Sequence, residues 1–326
     1  MFYTLRRNLN RRLAKALYSI DRRKLRDALA SIGVARGMTV VVHSQLSQLG
    51  YVAGGPAMII ETLMETVTDS GCILMPTYPT RGSTAAYLDE GHAFDVRNTP
   101  STVGALTEVF RTWPGVKRSL HPTNPVAAWG KHADWLLAGH ERSLTPYGDD
   151  TPYGRLARMD DSYNLMMETP VLSLLHHLQE RVNFPNYTLD ETREVRVIDT
   201  AGATRTVTTK VMRQRLPYYI AIPSQGGGDH DWAILHDFAL IFPRSRERMV
   251  RQLYRLGGYP PALERRAQLT SAGHLKATKL GRGEIGLLRI KPFLDTLIPE
   301  LRALLDRFRG CYELSRLEAE DLPRYT

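Results

Sequence analysis

Leucine recurs every fourth residue at the start of the chain, at Leu5, Leu9, Leu13 and Leu17, with arginines on the other faces. That spacing predicts an amphipathic helix over residues 1–19. A second helical pattern, Arg22–Gly33 (RRKLRDALASIG), closes on a glycine. Met38–His43 (MTVVVH) is an unbroken β-branched run, the mark of a strand buried on both faces, and it delivers His43-Ser44 to its end. Pro56–Val67 predicts another helix and Cys72–Pro76 (CILMP) another short strand. Thr77–Pro100 reads as a long irregular stretch, the kind that is often functional, before a helix over Val103–Trp113. Further on, the pattern predicts a helix over Val171–Val182 and a hairpin of Glu194–Asp199 and Thr204–Met212 about Ala201-Gly202-Ala203. A strand over Ile285–Ile290 and a helix over Lys291–Phe308 follow. Strands alternating with helices imply an α/β fold, with a central, mostly parallel or mixed sheet flanked by helices. There is no internal repeat, and Gly226-Gly227-Gly228 is the nearest thing to a linker. One domain over 20–326, preceded by a basic helical extension over 1–19, is the expected organisation.

Charge sharpens that division. The formal net charge is +9, yet residues 1–26 hold nine basic side chains against Asp21, leaving the rest of the chain close to neutral. The basic extension packs its leucine stripe on the body or a second subunit, or it touches an anionic membrane surface. It lacks the aromatic interleaving and motifs of a nucleic-acid binder, so no nucleic-acid partner is expected. The first residues have no apolar core of a secretory signal, and no apolar run reaches the roughly 18 residues of a membrane span. Cys72 and Cys311 are too few for a disulfide framework or a thiolate metal cage, and read as packed thiols in a reducing cytoplasm.

Three segments carry chemistry-bearing residues. In VVHSQLSQLGYVAGG (41–55), a buried strand runs into a turn with Ser44, Ser47, Gly54 and Gly55, and a helix starts just beyond. Glycines let the backbone approach a ligand, and a helix N-terminus offers free N–H groups, so the segment suits a pyrophosphate or is an ordinary strand–turn–helix connection. Its glycine spacing is neither a dinucleotide fingerprint nor a P-loop. In KRSLHPTNPVAAWG (117–130), His121 stands at a loop–strand junction, either as a proton acceptor or as a hydrogen-bonded structural histidine. TPYGDDTPYGRL (145–156) places Asp149 and Asp150 in a Gly/Pro-punctuated loop, where they orient a histidine and attract an ammonium, or cap a turn.

Taken together and in order, these segments resemble the signature of the aminoglycoside 3-N-acetyltransferase family. Its strand into H-S-x-L-S-x-L-G is matched by His43–Gly50, and its T-P-S-x-x-G-A-L by Thr99–Leu106. R-S-x-H-P is matched by Arg118–Pro122, and G-[ED]-x-[ST]-P by Gly148–Pro152. A weaker match is His177-Leu178-Gln179-Glu180 for H-L-x-E, and GRGEIGLLRI (281–290) also looks familial. The resemblance covers roughly residues 20–320.

It implies acetyl transfer from acetyl-CoA to a primary amine of an aminoglycoside or related amino sugar, by direct transfer in a ternary complex, in a homodimer. Carried over, Ser44, Ser47, Gly54, Gly55, Thr102 and Val103 would hold the CoA pyrophosphate and pantetheine. His121 would be the general base and Asp149 its orienting carboxylate, with Asp150, Glu180 and His177 toward the substrate ammonium. The sequence departs from the pattern at Pro125, where the family has serine. It departs again at Met167 and Thr169, in place of glycines, and at Ser173-Leu174, in place of Asn-Thr. These changes fall beside the expected acceptor pocket, so another biosynthetic amine, or a scaffold that binds CoA without turnover, stands as the alternative. His176 and Glu180 share a helical face, but no third ligand is spaced to match, and Asp229-His230-Asp231 reads as a polar loop, so no metal is expected.

Overall fold

The computed structural model describes residues 17–80, 82–169, 172–184, 187–212, 219–222, 231–234 and 262–307. Most of the extension (1–16), the Gly226–Gly228 run and Asp229-His230 lie outside these residues.

The strands of the central sheet and of the hairpin beside it are β1 (Thr39–Ser44), β2 (Cys72–Pro76), β3 (Lys117–Arg118), β4 (Val126–Gly130), β5 (Ser162–Met167), β6 (Thr188–Ile198), β7 (Thr204–Met212), β8 (Leu275–Leu280) and β9 (Gly283–Arg289). The principal helices are α1 (Arg22–Ser31), α2 (Gly55–Val67), α3 (Ala105–Arg111), α4 (Ala133–Leu137), α5 (Pro152–Arg158), α6 (Leu174–Arg181), α7 (Ala262–Ser271) and α8 (Ile290–Arg307). Seven strands form the central sheet in the order β8-β9-β5-β1-β2-β4-β3. Only β5, β1 and β2 run parallel; every other pairing in the sheet is antiparallel. The sheet is therefore mixed, not largely parallel, because its flanks close by hairpins and returns that need no crossover helix.

The apolar run of β1 is buried on both faces, and its side chains alternate between two cores. Val41 joins one with Tyr153, Leu178 and Phe293, from α5, α6 and α8. Val40 and Val42 join the other with Leu29, Ile60 and Phe110, from α1, α2 and α3. Among the described residues no helix is long and apolar enough to cross a membrane.

Several expectations need correction. Thr77–Pro100 contains a helix, Thr84–Asp89, capped by Ser83, and a short strand, Phe94–Asp95, that pairs with β6. The 145–156 segment is a loop only to Thr151, whose side chain accepts from Gly154 N and starts α5. The helix expected over Val171–Val182 runs over Leu174–Arg181 in α6. β5, α4 and β8 were not anticipated; they are short and rely on neighbouring strands or helices rather than on a period of their own.

Candidate active site

β1 lies between β2, paired with its first residues, and β5, paired with it as far as Ser44, and the loop leaving β1 carries the first matched segment. Beyond Ser44, Gln45 N donates to Met167 O, tying the turn to the end of β5. Gly50 sits at φ 123°, where a Cβ would press on Tyr18 O. Gly54 and Gly55 both have positive φ, and no side chain caps α2. A Cβ on Gly55 would meet nothing within 4 Å. This thirteen-residue helix thus begins without a side-chain cap and with open space beside Gly55, which fits an anionic group at this end. Ser44 is half-buried and Ser47 exposed in the same turn. Arg282, at the β8–β9 turn, donates to the carbonyls of Ser47 and Gln48 and holds the turn closed. Thr102 donates to the carbonyls of Tyr78 and Thr80, which leaves Val103 exposed ahead of α3.

His121 and Asp149 are not brought together. His121 is 0 % exposed. Its Nδ1 is approached by Thr123 N (3.4 Å), Asn124 N (3.4 Å) and Thr123 Oγ1 (3.3 Å), so Nδ1 accepts and the proton resides on Nε2. Burial and the neighbouring His140 ring, 4.7 Å away, hold it well below the ordinary histidine range. Its Nε2 is buried with no hydrogen-bond partner among the described residues, while Nδ1 is engaged by the 123–124 backbone. Asp149 is instead ion-paired with Arg181 at 2.8 Å, and Asp150 lies exposed, 3.8 Å from Arg158.

His177 has the complementary arrangement. Its Nδ1 is 2.6 Å from the carbonyl of Tyr147, which can only accept, so Nδ1 carries the proton and Nε2 the lone pair. One turn on, Glu180 accepts from Thr145 Oγ1 (2.7 Å) and from Tyr147 N (3.2 Å). A single peptide unit's neighbours, the N–H and C=O of Tyr147, are thereby gripped from the same face of α6. Burial pushes the Glu180 carboxyl up to about 7, against the hydrogen bonds that favour its anion. Burial also lowers His177, while the Tyr147 carbonyl and Asp149 favour its cation. The preceding loop is fixed by His140, whose Nε2 donates to Pro146 O while its Nδ1 accepts from Ser119. Gly154 explains the glycine of the P-Y-G stretch: a Cβ there would run into the carbonyl oxygens of Gly148 and Asp149.

A buried chain of hydroxyls, not anticipated from the sequence, backs this loop. Asn124 Nδ2 donates to Tyr147 Oη at 3.1 Å, which donates to Tyr78 Oη at 2.8 Å. Tyr78 Oη also meets Tyr153 Oη (3.1 Å) and Ser173 Oγ (2.7 Å). Ser173 Oγ and N both reach His43 Nε2. Ser173, one of the departures, thus links α6 to the end of β1. Between two further departures, Met167 and Thr169, it is Glu168 that takes the left-handed conformation (φ 52°), its carboxylate accepting from Glu284 N. The His176 ring lies tilted against Tyr147, 4.7 Å between centroids, and its Nδ1 is 2.9 Å from Gln179 Oε1. Tyrosines and arginines are too common for such partners to be found by spacing alone.

The sequence profile of the aminoglycoside 3-N-acetyltransferase family matches residues 41–224. A prophage-derived aminoglycoside N(3')-acetyltransferase-like protein of Bacillus subtilis, YokD, is 33% identical over 162 residues, 45% of this chain and 59% of that protein. Aminoglycoside N(3)-acetyltransferase III of Pseudomonas aeruginosa is 31% identical over 171 residues, 47% of this chain and 61% of that protein. The chain therefore matches about three fifths of these curated relatives' length. The fold is that of the solved structure AAC-IIIb, a binary complex with CoASH (TM-score 0.62, 20% identity, 88% of this chain, 97% of that one). It is also that of AAC-VIa bound to sisomicin (TM-score 0.63, 24% identity, 88% and 98% covered).

Proposed function

The chain belongs to the aminoglycoside 3-N-acetyltransferase family, and from that premise we propose that it transfers the acetyl group of acetyl-CoA to a primary amine of an aminoglycoside or related amino sugar. The observation that carries the reading is the grip of His177 and Glu180 on Tyr147. It presents an imidazole with its lone pair on Nε2, and a carboxyl that titrates near neutrality.

The uncapped N-terminus of α2 with Gly54 and Gly55, Ser44 and Ser47 of the turn, and Thr102-Val103 would hold the cofactor's pyrophosphate and pantetheine. Acetyl-CoA, when bound, supplies a thioester carbonyl for direct attack by the amine. His177 Nε2 takes the proton that the amine nitrogen loses as its bond to the acetyl carbon forms. As the carbon–sulfur bond breaks, the His177 cation returns that proton to the thiolate. The Tyr147 carbonyl stabilises this cation through Nδ1–H, the part first assigned to Asp149. His121 becomes a positioning residue beneath the 143–147 loop, stacked on His140.

The test is thiol release from acetyl-CoA over a panel of aminoglycosides and simple amino sugars, with His177→Ala and His121→Ala in parallel. Turnover lost in His177→Ala with CoA binding retained supports the assignment. Turnover unchanged in that variant overturns it, and CoA binding with no turnover of any amine by the parent chain favours a non-catalytic binding module.

A further inference from the structure

Tyr78, two residues beyond the end of β2, touches three parts of the site at once. Its carbonyl accepts from Thr102 N at 2.8 Å and from Thr102 Oγ1 at 3.1 Å, which ties it to the segment assigned to the cofactor. Its hydroxyl lies 2.8 Å from Tyr147 Oη and 2.7 Å from Ser173 Oγ. Tyr147 is the residue whose backbone holds His177 and Glu180. Ser173 is the N-cap of α6, four residues and so about one turn before His177. Its hydroxyl makes no capping bond to the helix and turns instead toward Tyr78 and His43. One backbone group fixes the direction of every bond in this chain. Ser173 N donates to His43 Nε2 at 3.1 Å, so Nε2 is an acceptor, and Ser173 Oγ, 2.8 Å away, donates to it as well. Ser173 Oγ therefore accepts from Tyr78, and Tyr78 accepts from Tyr147. Burial pushes the Tyr78 hydroxyl well above the ordinary phenol range, so it keeps the proton that this order requires.

We propose that Tyr78 is a positioning residue for acetyl transfer, its hydroxyl setting His177 in register with the cofactor segment that its carbonyl holds. This rests on the acetyl-transfer reading and adds to it the group that joins the base to the cofactor side. His177 is fixed at two points, by α6 and by the Tyr147 carbonyl at Nδ1, and Tyr78 reaches both, through Ser173 and through Tyr147. Without the hydroxyl, Tyr147 Oη and Ser173 Oγ lose their common partner and the carbonyl is held less firmly at Nδ1. The ring then also carries its proton on Nε2, which removes the lone pair that a base needs. Asn124 still donates to Tyr147 Oη, so the loop keeps a tether. The bonds to Thr102 come from the backbone and survive the change, so cofactor binding is spared.

The test compares the full chain with Tyr78→Phe, Ser173→Ala and Ser173→Thr in two measurements. The first is steady-state turnover with acetyl-CoA and the panel amine used fastest. Tyr78→Phe should lower kcat about ten- to a hundredfold and leave the KM for acetyl-CoA within about twofold. The acid limb of its kcat profile should move to lower pH, because the Tyr147 carbonyl favours the His177 cation and is held less firmly. Asp149, Arg181 and Arg158, the charges that act on His177, are untouched in all three variants. Ser173→Ala should act in the same direction, and Ser173→Thr should restore most of the loss. An unmoved limb overturns the proposal, whether kcat is unchanged or falls together with the thermal midpoint, and acetyl transfer then stands without it. The second measurement reads the His177 tautomer near neutral pH, without substrates, from long-range proton–nitrogen correlations of the labelled chain, assigned with His177→Ala. A single Nδ1–H form in the parent that gains Nε2–H in Tyr78→Phe supports the positioning role, even where no amine is acetylated. The same spectrum in both chains overturns it.

Discussion

His177 donates its Nδ1–H to the carbonyl of Tyr147 across 2.6 Å, and this bond assigns the ring's tautomer. The partner has no proton to give, so Nε2 is left as the acceptor. In His121 the polarity is reversed, since backbone N–H groups point at Nδ1. Two histidines of similar burial therefore differ in what they can do with a proton.

Replacing His177 by Asn keeps a donor toward Tyr147 O and removes the base. Thiol release should fall by about 10²- to 10⁴-fold, with acetyl-CoA affinity retained. His121→Asn should instead lower the thermal midpoint, since a fully buried ring is lost. Equal loss of turnover in both variants at unchanged stability would return the role to His121.

Glu180 makes stability depend on pH in an identifiable direction. Its folded-state pKa, about 7, lies above its ordinary value of 4.5, so the native state binds the extra proton between them. Stability should therefore fall as pH rises through this window, by at most about 1.4 kcal/mol per unit, less in proportion to the carboxyl's remaining exposure. Because the lowered histidines act in the opposite sense over the same range, Glu180→Gln should move the difference between urea midpoints at pH 5 and pH 8 further in favour of pH 8 than in the parent chain.

Acid should act through the buried histidines. Burial lowers His43 and His176 to about 4 and His140 to about 3, with His121 and His177 also depressed. The unfolded chain takes up protons below about 6.5 while the native chain resists, so stability is lost as pH falls from there toward the folded values. Chemical denaturation from pH 7 to pH 4.5 should show a steep decline, shallower in a His140→Gln background.

Gly154→Ala tests how tightly α5 is set against the 148–149 backbone. The added methyl has no room beside the two carbonyl oxygens, and the nearest atoms are backbone, which yields only by moving the loop. A loss of about 1–3 kcal/mol in stability is expected, with turnover reduced further because the same loop leads to Tyr147. A variant of parental stability and turnover would show that α5 can slide.

Much of the scaffold could be read along the chain. The apolar run of β1, the helical spacing of α1 and α2, and the hairpin about Gly202 are local patterns, and each element follows within a few residues. Gly54 and Gly55 were legible as well, because a left-handed backbone at a helix start demands glycine. Family membership followed from four short motifs in order. The chain could not say which histidine is poised as a base, since tautomers depend on partners brought from elsewhere. Tyr147 lies 30 residues from His177, and Arg181 lies 32 from Asp149. Pairing across such gaps is chosen by how α6 packs beside the 145–151 loop. The residue types at the site were therefore present in the sequence, while their protonation and charge partners were decided only by the tertiary structure.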